Sequence, residues 1–255
     1  MKRVLTALTL GPLIAAIVLW GPSYVFLPVV VIVALLCFHE YLGMVAAYGI
    51  RLPAPLGYVA GLLVLLVPSD PFLLVTLATL LALSLALSAR NLADGLPQAA
   101  ALLLGVVYIF GAWRCALGLW GRDHYWLLFA LLLNWVSDSA AYYIGCALGR
   151  HKLAPRISPA KSWEGSIASL IASLLLGFFY LRGLLPAVSL PEILALSAVG
   201  NVAGQIGDLA ESALKRGARV KDSGNSLPGH GGWLDRVDST LFTLPVIYGL
   251  LSLPW

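Results

Sequence analysis

The sequence predicts an all-α fold, a polytopic integral membrane bundle of about nine transmembrane helices with a cytoplasmic N-terminus. Three observations lead there. Of the 255 residues, 60% are hydrophobic types and only 11% are charged, against about 25% charged in an ordinary soluble domain. Mean hydropathy is +0.90, which excludes a soluble globule, whose surface so few charges would not cover, and also excludes intrinsic disorder. The apolar residues gather in runs that are apolar all round, without the alternation of a transmembrane β-strand. In hydrocarbon every backbone N–H and C=O must be paired within the segment, so such runs are helices.

A span takes about 20 apolar residues. The segments are Val4–Trp20, Tyr24–Tyr48, Leu56–Val67, Phe72–Ala89, Leu96–Trp113, Tyr125–Leu148, Trp163–Leu181, Pro191–Leu214 and Thr240–Leu253. Met1-Lys2-Arg3 is read as the basic flank of an uncleaved first helix, because many spans follow it. Gly21-Pro22-Ser23 is a tight turn, and Pro68, Pro71 and Pro186 mark other ends. The third segment is short, and the basic residues decide in its favour. With the N-terminus inside and nine crossings, Arg114, Arg122 and Arg182 fall outside and the other 13 of the 16 Lys and Arg residues fall inside, as the positive-inside rule requires. Without that segment the later basic loops would lie opposite Lys2 and Arg3. The expected organisation is an N-terminal set of helices over 1–122, serving the bundle and oligomer contacts. A C-terminal catalytic region follows over 123–255, with cytoplasmic loops 149–162 and 215–238.

Polar residues inside the later spans are ordered. Asn134, Asp138, Tyr142 and Gly145 recur at helical spacing and share one face of the sixth segment. Asn201, Gly204, Gln205, Asp208, Glu211, Ser212 and Lys215 make a similar stripe on the eighth. A lipid-facing carboxylate costs at least ~2.5–3.5 kcal/mol, so these stripes should face protein, water or an ion. Hydrogen bonding between helices is the competing use, above all for Asn134 and Asn201. His39-Glu40, closing the apolar part of the second segment, is expected at the inner interface in a structural role, satisfied by snorkelling or by a Lys or Arg. Cys37, Cys115 and Cys146 are odd in number and far apart, which gives neither a disulfide framework nor a metal spacing.

The densest chemistry lies between Gly207 and Ser239, in the run GDLAESALKRGARVKDSGNSLPGHGGWLDRVDS. Asp208, Asp222, Asp235 and Asp238 offer the hard oxygen ligands that Mg²⁺ prefers. Lys215, Arg216, Arg219, Lys221 and Arg236 can neutralise phosphate charge, the arginines bidentately. Gly224, Gly229, Gly231 and Gly232 permit close backbone approach to a phosphate, with His230 among them as a donor. No zinc pattern and no Walker loop is present. A loop that only binds anionic lipid would account for the basic residues, but not for aspartates interleaved with glycines.

This run resembles the signature of the phosphatidate cytidylyltransferases, or CDP-diacylglycerol synthases. The resemblance rests on Ser212-Ala-Leu-Lys215-Arg216, Lys221-Asp222 and the stretch Leu227 to Asp238. Asp138-Ser-Ala-Ala141-Tyr142 with Gly145, and Ile157 to Gly165 around Ser158, Lys161 and Ser162, are similar to the same family. The resemblance implies the reaction CTP + phosphatidate → CDP-diacylglycerol + pyrophosphate, by attack of the lipid phosphate on the α-phosphorus of CTP. It implies Mg²⁺, with room for a second cation. Asp208 and Asp235 are the main ligands, joined by Asp138. Asp238 completes the shell or orders basic side chains. Lys215, Arg216, Lys221 and Arg236 hold the triphosphate, and the segment around His230, Gly231 and Gly232 wraps it. Ser158, Lys161 and Ser162 are assigned to a phosphate, and Ser212 to metal or phosphate. Asn134, Tyr142, Gln205 and Asn225 are candidates for the cytosine contact.

The implied partners are CTP, phosphatidate and membrane lipid, without nucleic acid, and a second copy of the chain. The implied location is the cell inner membrane, with the site facing the cytoplasm. A related CTP-dependent enzyme acting on another lipid, and an ion-coupled transporter using Asp138 and Asp208, are the alternatives.

Overall fold

The computed structural model describes residues 2–88, 91–226 and 231–253, with the side chains of residues 2–10, 86 and 88 left aside. A helix covers each of the nine expected segments. In order these are α1 (Lys2–Trp20), α2 (Ser23–Ala47), α3 (Ala54–Leu66), α4 (Pro71–Ser84) with a 3₁₀ extension to Ser88, and α5 (Gly95–Gly105) running through a π-turn (Val106–Gly111) into α6 (Ala112–Arg122). They continue as α7 (His124–Leu148), α8 (Trp163–Leu184), α9 (Leu190–Gly217) and α10 (Leu234–Leu250). Among the described residues, five stretches are long and apolar enough to cross a membrane: Ser23–Ala47, Leu92–Arg122, His124–Leu148, Trp163–Leu184 and Leu190–Gly217. The chain is therefore nearly all-α, with several membrane-length helices.

Two differences from the sequence reading have physical causes. The fifth helix does not stop at Trp113 but runs on to Arg122, because its first arginine has carbonyl partners. The Arg114 guanidinium donates to Val64 O (2.8 Å), Val67 O (2.7 Å) and Ser69 O (2.9 Å). The polar loop after α7 folds into an antiparallel hairpin of β1 (Lys152–Ala154) and β2 (Ser158–Ser162). Pro155 and Pro159 keep this stretch from continuing as helix. The hairpin base is tied to α8: Trp163 N donates to His151 O (2.9 Å), and the Glu164 carboxylate takes the His151 ring at 2.7 Å.

Helix starts follow local chemistry. Asp70 caps α4 by accepting from Leu73 N, with Pro71 in the first turn. Asp123 caps α7 through Tyr125 N (2.9 Å), and Ser162 caps α8 through Gly165 N (3.2 Å). Such caps satisfy donors that the first turn leaves open.

The chain divides into two compact units. One comprises Met1–Gly21, Ala116–Ala213 and Val237–Trp255. Its buried centre includes Phe129, Leu133, Leu181, Ile193, Leu196 and Ile247. Asn201 Nδ2 donates to Ser169 Oγ (2.7 Å) and Ser173 Oγ (2.9 Å), and Gln205 Nε2 donates to Asn201 Oδ1 (2.7 Å). Thr243 Oγ1 donates to Asn134 Oδ1 (3.0 Å). Much of both polar stripes thus joins helix to helix.

The other unit comprises Pro22–Cys115 and Leu214–Arg236. Phe38, wholly buried, packs on Phe110 with ring centroids 5.2 Å apart. Tyr41 donates to Ala101 O at 2.7 Å. Gly57, Gly61 and Gly105 allow these rings in, since a Cβ at any of them would collide with Phe38, Phe110 or Tyr41.

Candidate active site

Each unit holds one group of charged side chains from the sequence-predicted set. In the first unit, Lys161 at the end of the hairpin reaches Asp208 on α9, with Nζ 2.6 Å from Oδ2. Ser212, one turn further on, donates to Asp208 Oδ1 at 3.3 Å. Asp238 of α10 lies within charge–charge range of Asp208, Glu211 and Asp138. Asp238 Oδ1 also accepts from Ser239 N at 2.7 Å. Asp138 faces outward on α7, within range of Asp208 and Lys161. Ser162, assigned to a phosphate in the sequence, is buried and spends its hydroxyl on the α8 cap. Asn134 is engaged in the Thr243 bond given above, and Gln205 Nε2 also donates to Ser166 O of α8 at 3.3 Å.

In the second unit the central pair is Lys215 and Asp235, both largely buried, with the ammonium on Asp235 Oδ1. The other oxygen, Oδ2, accepts from Ser223 N (2.9 Å) and Gly232 N (2.8 Å). Asp235 lies ahead of the apolar stretch Thr240–Leu253. Burial alone would raise its carboxyl; the Lys215 ammonium and the N–H groups of Gly232 and Ser223 outweigh burial and hold it below the usual carboxylate range. Gly231 is in the left-handed region at φ +76°, and a Cβ there would sit 2.7 Å from Asp235 Oδ2. Arg216, Lys221, Asp222 and Arg236 are exposed. The Arg216 guanidinium reaches Val220 O at 3.4 Å. His230, with Leu227, Pro228 and Gly229, lies outside the described residues.

One residue of this group is read differently from the sequence. Glu40 is 5% exposed, and its carboxylate accepts from Ser223 Oγ and Ser226 Oγ (each 2.8 Å), Trp233 N (3.0 Å) and Leu234 N (2.9 Å). These are hydroxyl and backbone partners where the sequence suggested water, Lys or Arg. The only sequence signal was a carboxylate on an otherwise apolar helix.

The donor set suits a divalent cation. Asp138, Asp208 and Asp238 present hard oxygens to one another with a single ammonium, Lys161, among them. Asp235 spends three of its about four acceptor positions on Lys215, Ser223 N and Gly232 N. Among the described residues no group of three or more His, Cys, Asp or Glu closes on a single point. Mg²⁺ is commonly held by one or two carboxylates and completed by substrate phosphates and water.

Comparison with known proteins agrees with this chemistry. A model of the cytidylyltransferase family matches residues 1–253. A phosphatidate cytidylyltransferase of Bacillus subtilis (strain 168) is 43% identical over 154 residues, 59% of this chain and 57% of that protein. One from Staphylococcus saprophyticus is 45% identical over 128 residues, 50% of this chain and 49% of that protein. The chain thus spans about half the length of these two relatives. One from Staphylococcus aureus (strain COL) is 35% identical over 227 residues, 86% of this chain and 87% of that protein. The match along nearly the whole sequence, over the same segments that carry the clustered aspartates and lysines, means that the chain belongs to the cytidylyltransferase family.

Proposed function

We propose that the protein is a membrane-bound phosphatidate cytidylyltransferase that converts CTP and phosphatidate to CDP-diacylglycerol and pyrophosphate. The observation that carries this reading is the 35% identity over 86% of the chain with the phosphatidate cytidylyltransferase of Staphylococcus aureus. The side-chain chemistry supports it, since the ordered charges follow apolar helices, as one lipid and one water-soluble substrate require.

In this reading a phosphatidate oxygen attacks the α-phosphorus of CTP, a new P–O bond forms, the α–β anhydride bond breaks and pyrophosphate leaves. The attacking oxygen is already anionic, so no protein nucleophile is needed. Catalysis is positioning and charge neutralisation. Lys215, oriented by Asp235, and Lys161, oriented by Asp208, are assigned to substrate phosphates. Exposed Arg216, Lys221 and Arg236 are assigned to the triphosphate and to the leaving group. Asp208, Asp138 and Asp235 are the groups that would hold Mg²⁺, with a second cation alongside. A bound divalent cation would offset the repulsion between the two anionic substrates. We also assign the nine helices to nine crossings, the N-terminus and the site to the cytoplasmic side of the inner membrane, and the working form to a homodimer.

The test uses protein purified in mild detergent with phosphatidate, CTP and Mg²⁺, following pyrophosphate release and lipid-linked CMP, with Asp235→Asn alongside. Metal-dependent turnover lost in the variant is the expected result. Turnover that survives Asp235→Asn overturns the assignment of that carboxylate. Turnover with another lipid acceptor, and none with phosphatidate, overturns the substrate.

A further inference from the structure

We propose that Glu40, on α2, is a positioning residue that ties residues 223–226 to residues 231–234 and so fixes the Asp235–Lys215 pair. The proposal rests on the reading of that pair as part of the cytidylyl-transfer site. Two described stretches meet at the carboxylate, an incoming limb up to residue 226 and an outgoing limb from residue 231. Ser223 and Ser226 bind it from the incoming limb, and Trp233 N and Leu234 N from the outgoing limb. Leu234 opens α10 and Trp233 stands immediately before it. First-turn donors are normally met by a side chain just ahead of the helix. Here a residue of another helix meets them.

Two further observations make the contact specific. Gly224 and Gly232 flank the carboxylate. A Cβ on Gly224 would lie 2.7 Å from Glu40 Oε1, and one on Gly232 would collide with Glu40 Oε2 and Ser223 Oγ. These two glycines therefore make room for Glu40. The link to Asp235 is a single residue. Ser223 donates its hydroxyl to Glu40 Oε2 at 2.8 Å and its N–H to Asp235 Oδ2 at 2.9 Å, and its hydroxyl oxygen accepts from Asp235 N at 3.3 Å. A shift of the Glu40 carboxylate reaches Asp235, and Lys215 behind it, through Ser223. A carboxylate on an apolar helix is costly unless its acceptor positions are filled; here four donors fill them.

Glu40→Gln tests this with almost no change of shape. An amide must turn its NH₂ toward one side. A serine hydroxyl can rotate to accept from it, but a backbone N–H cannot. Whichever way it turns, Trp233 N or Leu234 N then faces a donor. We expect amide exchange at residues 231–235 to accelerate about 10-fold, the scale set by one unmet buried hydrogen bond. We expect the KM for CTP, or the half-saturating Mg²⁺, to rise by a similar factor, more than kcat falls. Glu40→Asp, which keeps the carboxylate, should recover part of both. Wild-type exchange in Glu40→Gln overturns the proposal. So does turnover that falls only with the folded fraction while KM and metal requirement stay at wild-type values. Should Glu40→Gln not fold, the double variant Ser223→Ala with Ser226→Ala carries the test, and wild-type exchange and KM there overturn the proposal. The exchange measurement needs no substrate. A wild-type protein that fails to use CTP would therefore overturn the reaction while exchange still decides the role of Glu40.

Discussion

At the scale of single residues, the glycines divide by what they stand against. Gly43 in α2 has nothing within 4 Å of the position a Cβ would take, whereas Gly232 has the Glu40 carboxylate and the Ser223 hydroxyl there. Glutamate is a flexible side chain, but this one is held by four hydrogen bonds, so its retreat breaks them. Gly232→Ala should lower stability by about 1–3 kcal/mol, the usual cost of overpacking. Gly43→Ala should be neutral or gain up to ~1 kcal/mol, because glycine weakens a helix interior. Thermal unfolding in one detergent compares the two; equal midpoints would remove the packing argument. The sequence identifies these glycines as necessary but points to phosphate as the reason, because Glu40 is far away along the chain. Arg219 shows the same limit. It occupies the left-handed position after α9 at φ +59°. Its N–H bonds Arg216 O, and the next N–H bonds Lys215 O. This is the closing pattern usually given to glycine, and no spacing rule shows that an arginine adopts it.

At the scale of elements, periodicity was a sound guide and partners were not. The stripes on α7 and α9 follow the 3.6-residue repeat, while Lys161 of the hairpin and Asp238 of α10, which join Asp208 in one group, belong to neither stripe. The hairpin was hidden, since the 12 residues His151–Ser162, with two prolines among them, read equally well as loop. The end of α3 was legible, at Val67 in the sequence and Leu66 in the structure, but the partner of its last carbonyls, Arg114 of a later helix, was not. α3 has 13 residues, about 20 Å at 1.5 Å per residue. Its last carbonyls have no intrahelical partners, and Arg114 binds Val64 O and Val67 O with one nitrogen and Ser69 O with another. Arg114→Ala should therefore cost about 2–3 kcal/mol, the scale of charge-assisted hydrogen bonds lost from a partly buried site. Arg114→Lys should recover only part, since an ammonium lacks the planar fork. An Arg114→Ala protein that unfolds at the wild-type temperature would show that these carbonyls find other donors.

At the scale of the whole molecule, the charge distribution bears on how the helices cross. The sequence count places Arg114, Arg122 and Arg182 on the outer side. All three prove to lie within helices, in α6 and near the end of α8. Arg122 donates to Leu251 O (2.8 Å) and Ser252 Oγ (2.7 Å) and covers the Tyr248 ring at 4.9 Å. Arg114 and Arg122 bond neutral carbonyls and a hydroxyl, which leave their charges in place. The expectation from the positive-inside rule therefore stands at 13 basic residues against 3. It predicts that Gly121 and Ser69 face the outside and that Ala160 and Asn225 face the cytoplasm. Single cysteines at these positions, in a background with Cys37, Cys115 and Cys146 replaced by serine, would be treated with a membrane-impermeant maleimide on intact cells. Labelling at 121 and 69 without lysis, and at 160 and 225 only after lysis, is the expected pattern. Position 69 is the decisive one. It follows the helix that is too short to span about 30 Å unaided, and the crossing of α3 sets the side of every later loop. Labelling at 69 only after lysis would mean that α3 turns back, and the hairpin and the Gly207–Ser239 segment would then have to lie opposite the N-terminus.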